Sequence, residues 1–429
     1  MKNGIVSISL AIGLILSLGL AGCGGQGAPQ TTEYRLTISS TEGGSVVTPE
    51  QGTGNFTYDE GTVASLVAEA QEGYDFVNWT GDVGTIADVS AASTTITMNG
   101  DYQIMANFAL EIPGIRDWYD LDAIRENLGG SYVLMNDLDA TTAGYEELAS
   151  PAANQGKGWE PIGTAIIDPF DYLEPYIRAE PFTGTFDGQR HEIRDLFIRR
   201  PDEDAVGLFG AIDEGGVLAN IGVVDIRVTG GAGVGGLAGA NAYEGSVKNA
   251  YSTGTVTGIM GVGGLVGANG YEGTISNSYS TATVNGDMIV GGLVGANGYG
   301  GAVSNSYSTG SATGIMGGAG GLVGVNNGGA LIQNSFSVGN VTGGELIGGL
   351  VADNWEGVVY DSFWDTQASG TQVSAGGVGK TTEEMQNADT FMNAAWDIVV
   401  VTVGVADIAY VWNIVEGQTY PFLSWQSVS

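Results

Sequence analysis

The sequence is poor in basic residues, histidine and cysteine, and each shortage excludes a class of function. Its 429 residues include 13 Lys and Arg, 48 Asp and Glu, one His and one Cys, which gives a formal net charge of −35. Proteins that read a nucleic-acid backbone need clustered Lys and Arg, so nucleic acid is excluded as a partner. One Cys cannot form a disulfide framework, and one Cys with one His supplies too few ligands for a zinc site of these residue types.

Charged residues of either sign are also scarce, at 14%, whereas glycine accounts for 73 residues. A hydrophobic content of 43% with regular patterning predicts a folded chain despite the high net charge. The apolar residues lie in short alternating runs between Gly, Asn and Asp, which is typical of β-strands joined by tight turns.

The N-terminal segment has the pattern of an export signal. Lys2 precedes an apolar run over residues 5–20 that is shorter than the ~20 residues needed to span a bilayer. The segment resembles a bacterial lipoprotein signal, because Leu20 to Cys23 matches the lipobox. The resemblance implies that residues 1–22 are removed, that Cys23 is the lipid attachment site, and that residues 23–33 form a tether. An ordinary cleavage region or an uncleaved membrane helix is the alternative.

Lipid attachment would fix the compartment and one partner. We expect an extracytoplasmic protein, anchored to the membrane at the bacterial cell envelope or surface through its N-terminal lipid.

Residues 34–111 show strand patterns punctuated by Gly and Asp, with no helical period. Their order resembles the divergent B-repeat module of internalin-type surface proteins. The resembling residues are Gly43-Gly44, Tyr58 to Thr62, Gly73 to Phe76, Trp79, and Ala106 to Phe108. The resemblance implies a compact β-grasp-like domain. Tyr74, Phe76 and Trp79 could bind a ligand, but a module this small needs aromatic side chains for its core, and we expect them there.

A Gly-Leu-x-Gly motif recurs through residues 207–370. The leucines are 28 or 29 residues apart, at Leu208, Leu237, Leu265, Leu293, Leu322 and Leu350. An aromatic residue recurs in step with them, at Tyr251, Tyr279, Tyr307, Phe336 and Phe363. An Asn lies two residues before most of these aromatics, at Asn249, Asn277, Asn305 and Asn334, with Asn220 at the corresponding place in the first unit.

Such a period predicts one structural unit stacked on the next. The units are rich in Gly, Ser, Thr, Val and Asn, which favours strands and turns over helices. One unit can form one coil of a parallel β-solenoid, in which equivalent residues lie ~4.8 Å apart. We therefore expect an interior leucine column, an aromatic column, and a hydrogen-bonded asparagine ladder along the axis.

The repeat resembles the GLUG motif of bacterial surface proteins, which also occurs in the non-catalytic part of some immunoglobulin-cleaving metallopeptidases. The resemblance implies a right-handed parallel β-helix. Peptidase activity would need His-Glu-x-x-His, and the segment from His191 to Asp195 lacks the second His.

The complete prediction is an all-β chain: the small β module, then a β-solenoid with ~28-residue coils and short helical caps. Residues 112–206 are interpreted as an N-terminal cap with irregular first coils, with a short helix near residues 117–126. Residues 371–429 are interpreted as a C-terminal cap, whose helix starts at the capping box Thr381 to Glu384.

An enzyme is the rival interpretation, because β-helices also form polysaccharide lyases and hydrolases. Between Gly231 and Gly343 the ionisable residues Glu244, Lys248, Glu272 and Asp287 are too few for paired catalytic carboxylates. A catalytic pair would have to lie in residues 112–206, where the acidic residues cluster. These include Asp168, Asp171, Glu174, Glu180, Asp187, Asp202, Glu203 and Asp204.

No cofactor is expected, with calcium as the one candidate. Hard cations bind several carboxylate oxygens, which residues 136–139 or 202–204 could supply, although neither has EF-hand spacing. His191 is expected to be a surface or turn residue rather than a general base.

These observations favour a non-catalytic, lipid-anchored surface protein. Its rigid solenoid would bind an extracellular glycan, matrix component or partner protein, gaining avidity from repeated weak contacts. A carbohydrate-active enzyme and a purely structural envelope component are the alternatives.

Overall fold

The computed structural model describes residues 31–49, 52–71, 73–110, 112–167 and 176–426. The chain divides into two compact units, residues 1–111 and 112–429. The predicted signal segment with Cys23 lies outside the described residues, and so do Asp168, Asp171 and Glu174.

The first unit consists of two small sheets. One has the strand order Gly54–Asp59, Glu33–Ser40, Tyr102–Leu110, Tyr74–Gly81, and the other the order Gly44–Thr48, Val63–Ala70, Ser93–Thr97. All neighbouring strands are antiparallel except Glu33–Ser40 and Tyr102–Leu110, which run parallel.

The aromatic residues of this unit build its core, as expected. Trp79 is 1% exposed and donates from Nε1 to the carbonyl oxygen of Ala91 at 3.1 Å. Tyr74 and Phe76 are half-buried and pack against the same cluster. In the strand Gly54–Asp59, half-buried residues alternate with exposed ones.

The second unit is a β-solenoid, and its described residues contain three large sheets that run along the coils, a two-stranded hairpin and a small three-stranded sheet. The six-stranded sheet has the order Phe209–Ile212, Ala238–Asn241, Val266–Asn269, Val294–Asn297, Val323–Asn327, Val351–Trp355. The nine-stranded sheet has the order Val358–Tyr360, Leu331–Gln333, Ala302–Ser304, Thr274–Ser276, Ser246–Lys248, Val217–Ala219, Thr185–Asp187, Ser131–Leu134, Gly114–Ile115.

The fifteen-stranded sheet contains Glu192–Arg194, Phe197–Arg199, Gly222–Thr229, Ala232–Val234, Tyr251–Gly263, Tyr279–Ser280, Thr283–Gly291, Tyr307–Ser308, Ala312–Gly314, Gly318–Gly320, Phe336–Ser337, Val341–Gly343, Leu346–Gly348, Phe363–Asp365 and Val378–Lys380. Strands of successive coils pair in parallel, with repeat-equivalent residues opposite each other, as in Val294 and Val323. The predicted fold class, an all-β chain with a small sheet domain and a solenoid of ~28-residue coils, is confirmed.

The leucines of the repeated motif form the predicted interior column. Leu237, Leu265, Leu293, Leu322 and Leu350 are all 0% exposed. The glycine two residues after the leucine is required by close backbone packing: a Cβ at Gly295 would collide with backbone atoms of Gly261 and Val262 in the preceding coil. In the last unit this place is occupied by Ala352. The motif therefore encodes a buried leucine at a corner where neighbouring coils approach too closely for a side chain.

A buried asparagine ladder runs along the six-stranded sheet, and the sequence reasoning missed it. Its members are Asn241, Asn269, Asn297, Asn326 and Asn354. Each of the first four donates from Nδ2 to Oδ1 of the next, at 2.7–2.8 Å. The expected ladder lies elsewhere, and Asn249 does donate to Asn220 at 2.8 Å. The residues of that ladder adopt left-handed turn conformations, such as φ 50° at Asn277.

The first coils contain the predicted short helix. Asp117 caps the helix Trp118–Asp122 by accepting from the backbone N–H of Tyr119 and Asp120, and the 3₁₀ turn Ala123–Glu126 follows. Helical turns Tyr145–Leu148 and Ala153–Gly156 and the hairpin of Thr164–Ile167 with Tyr176–Glu180 complete this region.

The C-terminal helix was predicted as one element, but the structure has two, Thr382–Met385 and Ala388–Met392. The capping box of Thr381 and Glu384 is present. The break follows because Asn387 is itself an N-cap, accepting from the backbone N–H of Asp389. Three short strands follow the helices: Ile398–Val400, Trp412–Ile414 and Phe422–Leu423.

The C-terminal segment, residues 381–426, packs along the aromatic column rather than only across the last coil. The rings of Tyr251, Tyr279, Tyr307 and Phe336 stack at 4.9–5.0 Å with interplanar angles of 3–7°. Trp412 lies 5.7 Å from Phe336, and Trp425 lies 5.9 Å from Tyr279. The segment therefore runs back over several coils and buries a column that would otherwise face solvent.

Asp365 fastens this segment to the last coil. Its carboxylate accepts from Thr382 Oγ1 at 2.6 Å, from Tyr420 Oη at 2.8 Å and from the backbone N–H of Gln367 and Ala368. Burial alone would raise its pKa, but these hydrogen bonds outweigh burial and hold the pKa of Asp365 below its usual value. Burial and the bond to Asp365 raise the pKa of Tyr420 to about 12.

Acid is therefore expected to weaken the attachment of the C-terminal segment. A depressed carboxylate pKa stabilises the fold above the unfolded-state value of about 3.9, and this contribution disappears as the pH falls through the folded-state value. Asp365→Asn should lower the free energy of unfolding at pH 7 by about 1–3 kcal/mol. The difference from wild type should shrink below about pH 4. Urea unfolding from pH 7 to pH 3 measures it, with Tyr420→Phe as the control that keeps the carboxylate. Parallel pH curves for wild type and Asp365→Asn would contradict the assignment.

Candidate ligand-binding groove

Among the acidic residues that could have formed a catalytic pair, Asp187, Glu203 and Asp204 take part in structural contacts. Asp187 accepts from Asn220 Nδ2 at 2.9 Å and from the backbone and side-chain N–H groups of Gln189. It is thus the first member of the ladder that continues through Asn220 and Asn249. Glu180 is exposed on the hairpin. These contacts give Asp187 a structural role that needs no catalytic explanation.

His191 lies at the surface and contacts one carboxylate. Its Nδ1 is 3.0 Å from Asp137 Oδ1, which also accepts from the backbone N–H of Glu192. The same contact occupies part of the first calcium candidate, residues 136–139. In the other candidate, Glu203 pairs with Lys157 and Arg200, and Asp204 accepts from the backbone N–H of Ala232.

Neither acidic cluster brings three carboxylates together in the described residues. Within the described residues there is no group of three or more His, Cys, Asp or Glu side chains that could hold a metal ion. The carboxylates of residues 136–139 and 202–204 instead accept from backbone N–H groups, hydroxyls and basic side chains.

A second aromatic column, of tyrosines, lies on the outside of the solenoid at a turn after the six-stranded sheet. Tyr243, Tyr271 and Tyr299 stack with ring centroids 4.7 and 5.0 Å apart and interplanar angles of 11° and 6°. All three have left-handed backbone conformations, with φ between 42° and 50°. This backbone conformation is unfavourable for a residue with a bulky side chain. The fold therefore holds the three tyrosines at positions where glycine would have the lower conformational energy.

This tyrosine column forms one wall of a groove on the outer face of the six-stranded sheet. The groove has a volume of about 350 Å³. Its floor consists of small residues in register, Ala268 and Ala296, followed by Val325 and then Asp353. Met260 and Ile289 also line the groove. The result is a mostly apolar channel that crosses several coils.

The two ends of the groove differ. At one end Ala165, from the hairpin strand Thr164–Ile167, packs with Ala211, Ala240 and Ala242 and covers the earlier part of the same sheet face. At the other end stands Trp355, which is 67% exposed, paired in register with Asn327. An exposed tryptophan at the end of an apolar groove is typical of a binding site rather than of a folding core.

Charge around the groove is acidic. Asp353 is the one charged side chain among the described residues that line it, and Glu244 and Glu272 lie beyond the tyrosine column. Glu244 and Glu272 were noted in the sequence only as evidence against an enzyme. The recurrence of Tyr243, Tyr271 and Tyr299 at 28-residue spacing could have revealed the column, but Trp355 carries no repeat signal.

Comparison with family models agrees with both resemblances drawn from the sequence. Residues 34–112 match the divergent InlB B-repeat domain, and residues 230–257, 258–285 and 286–313 each match the GLUG motif. The chain therefore combines a B-repeat domain with a GLUG-type solenoid.

Two known proteins share part of this sequence. Halomucin of Haloquadratum walsbyi is 34% identical over 229 residues, which cover 51% of this chain and 2% of halomucin. A protein assigned as a Gly-rich membrane protein of Evansella cellulosilytica is 32% identical over 111 residues, which cover 25% of this chain and 10% of that protein. The chain thus matches only a small fraction of either relative.

A solved structure shares the architecture. The crystal structure of a protein assigned as an immunoglobulin A1 protease from Bacteroides ovatus superposes with a TM-score of 0.50 at 21% identity, covering 74% of this chain and 93% of that one. At this identity the likeness concerns the fold alone. Separately, the described part of this chain has no helix long and apolar enough to cross a bilayer.

Proposed function

We propose that this chain is a lipid-anchored surface protein whose solenoid binds an extracellular polymer without catalysis. The observation that carries the proposal is the groove on the six-stranded sheet, with its tyrosine wall and the exposed Trp355. The GLUG motifs and the likenesses to halomucin and to a protein assigned as a membrane protein support a surface location. The lipobox ending at Cys23 supports anchoring by lipid.

A solenoid suits this role because its recognition surface is held by backbone pairing. Each coil places one tyrosine or floor residue in register with the next, so a long ligand meets equivalent contacts in succession. Several weak contacts on one rigid scaffold give useful avidity without a deep pocket. The net charge of −35 opposes nonspecific adhesion to anionic membranes and nucleic acids.

Anchoring is tested with the full-length chain expressed in a bacterium. The wild-type chain should incorporate labelled fatty acid and sediment with membranes. Cys23→Ser should incorporate none, because the thiol that accepts the lipid is missing. Ser7→Ala, within the apolar run, is the matched control and should behave as wild type. Membrane retention with no label in either chain would contradict lipid anchoring.

Binding and catalysis are tested together. The detergent-purified full-length chain is incubated with soluble polysaccharides and matrix proteins, and both retention and newly released sugar ends are recorded. Retention without release supports the proposal. Release that is lost in Asp187→Ala would favour a carbohydrate-active enzyme with its site in residues 112–206. If neither retention nor release of sugar ends is detected, a purely structural envelope component remains as the alternative.

A further inference from the structure

We infer that the end of the groove is a subsite for a neutral glycan, which lies along the solenoid axis and stacks a sugar ring on Trp355. The subsite, called the notch below, consists of Tyr299, Val325, Asn327, Asp353 and Trp355. The inference rests on the proposed function and names the ligand class and the place where it binds.

The notch exists because the repeat changes at this coil. The position that carries tyrosine in three successive coils is Gly328 in the next one, and Gly329 follows it. Gly328 carries no side chain and lies against Tyr299, where a Cβ would be 3.1 Å from the backbone nitrogen of that residue. A Cβ built on Gly329 would meet no atom within 4 Å, so the space beside Gly329 is open. One coil further on, Trp355 projects with 67% of its surface exposed. The groove therefore widens between Tyr299 and Trp355.

The chemistry of the notch matches a pyranose ring. The faces of such rings carry C–H groups that pack on an aromatic side chain, and Trp355 offers a large exposed apolar surface for this contact. Sugar hydroxyls need hydrogen-bond partners at the ring edge. Asp353 is exposed and can accept, and the amide of Asn327 can both donate and accept. Apolar packing with a few polar groups at the edge is the usual composition of a small-ligand site.

Charge selects a neutral glycan over an anionic one. Asp353 lines the notch, while Glu244 and Glu272 lie behind the tyrosine wall. No Lys or Arg is among the described lining residues. Sulfate or uronate groups would meet repulsion from these carboxylates with no compensating cation, whereas hydroxyl groups donate to them.

Geometry favours a glycan over an extended peptide. The floor is the face of a sheet and presents side chains, so a peptide lying on it would find no backbone groups to pair with its own N–H and C=O. An extended peptide rises about 3.3 Å per residue, out of step with coils spaced about 4.8 Å apart. One residue of an extended glycan chain is close to the coil spacing in length, so successive sugars can occupy successive coils.

The test uses the full-length chain in detergent and the intrinsic fluorescence of Trp355. Of the eight Trp residues, Trp355 is the exposed one, whereas Trp425 is half-buried and the other six are buried. The probes are neutral cello-, xylo- and malto-oligosaccharides, oligogalacturonate as the anionic glycan, and oligolysine as a cationic peptide. We expect a neutral glycan to shift the emission to shorter wavelength. Trp355→Ala should weaken its binding about tenfold or more, measured by calorimetry.

Two further variants separate the notch from the rest of the surface. Tyr299→Gly keeps a residue suited to the left-handed turn and should weaken the same glycan severalfold while leaving the fold intact. Tyr360→Ala removes another aromatic side chain, 58% exposed and outside the groove lining, and should bind as wild type.

The outcomes distinguish this inference from the function on which it rests. Neutral-glycan binding that survives both Trp355→Ala and Tyr299→Gly would overturn the notch while keeping a binding function. Binding of oligogalacturonate or oligolysine alone would overturn the ligand class. Failure to bind any probe, together with a dimer that dissociates on Trp355→Ala, would overturn both and identify the groove as a contact between two copies of this chain.

Discussion

Replacing Asn297 by alanine is expected to lower the free energy of unfolding of the solenoid by about 3–5 kcal/mol. Asn297 is 0% exposed and sits in the middle of the buried asparagine ladder. Its Oδ1 accepts from Asn269 at 2.7 Å, and its Nδ2 donates to Asn326 at 2.8 Å and to the carbonyl of Leu331 at 3.3 Å. Alanine removes all three bonds and leaves polar atoms in adjacent coils buried without these partners.

The end of the ladder supplies a matched control for this substitution. Asn354 accepts one hydrogen bond from Asn326, whose Nδ2 also reaches the carbonyl of Ala330. Asn354→Ala should therefore cost only about 1 kcal/mol. Urea denaturation followed by circular dichroism measures both variants. Equal losses for Asn297→Ala and Asn354→Ala would show that the ladder does not hold neighbouring coils together.

Replacing Trp412 by alanine is expected to destabilise the C-terminal segment by about 3–5 kcal/mol. Trp412 is 0% exposed, and its ring lies 5.0 Å from that of Trp396 and 6.0 Å from that of Tyr307. It therefore joins the segment to the stacked aromatic column. Its loss leaves a large cavity between them, so residues 381–426 should detach before the coils unfold.

Limited proteolysis detects this detachment. In the Trp412→Ala variant, cleavage within residues 381–426 should become rapid while the solenoid coils remain intact. Tyr410→Ala removes a nearby aromatic side chain that is 39% exposed, and it should be cleaved as slowly as the wild-type chain. Unchanged protease resistance in Trp412→Ala would mean that the segment is held by contacts other than the aromatic column.

Most of the solenoid fold could be predicted from the repeat period. Leu265 and Leu293 occupy the same position in their units, and a column of leucines is most stable in the interior, away from water. The stacking of Tyr251 on Tyr279 followed from the same period. Periodicity specifies which residues are equivalent, and parallel in-register pairing converts equivalence into contact.

Periodicity does not say which face of a coil a column occupies. The polar column at Asn269 recurs as regularly as the one at Asn277, yet the first is buried in the interior and the second makes a turn. The same ambiguity hid the tyrosine column, since Tyr271 and Tyr279 both recur with the repeat but line different surfaces.

Features that do not recur with the repeat could not be predicted from the sequence. Trp355 interrupts the pattern, so the repeat offers no equivalent residue from which its exposure at the end of the groove could be predicted. The return of the C-terminal segment along the aromatic column depends on contacts such as Trp425 Nε1 to the carbonyl of Asn277, 148 residues apart. No local sequence pattern encodes a contact of that range.

The close packing at the glycines recurs from coil to coil, so the length of the solenoid can change by whole coils. Removal of residues 265–292 would join Gly264 to Leu293 and recreate the same Gly-Leu-Val-Gly sequence. After the deletion, equivalent residues of the two coils that flank it would stack on each other in every column. The solenoid would be shorter by one coil, about 4.8 Å. Duplication of the same stretch would lengthen it by one step. Gain or loss of a single coil at the gene level would therefore change the number of coils that the groove crosses, and the C-terminal segment, whose Trp425 contacts Asn277 and Tyr279, would pack on a different coil.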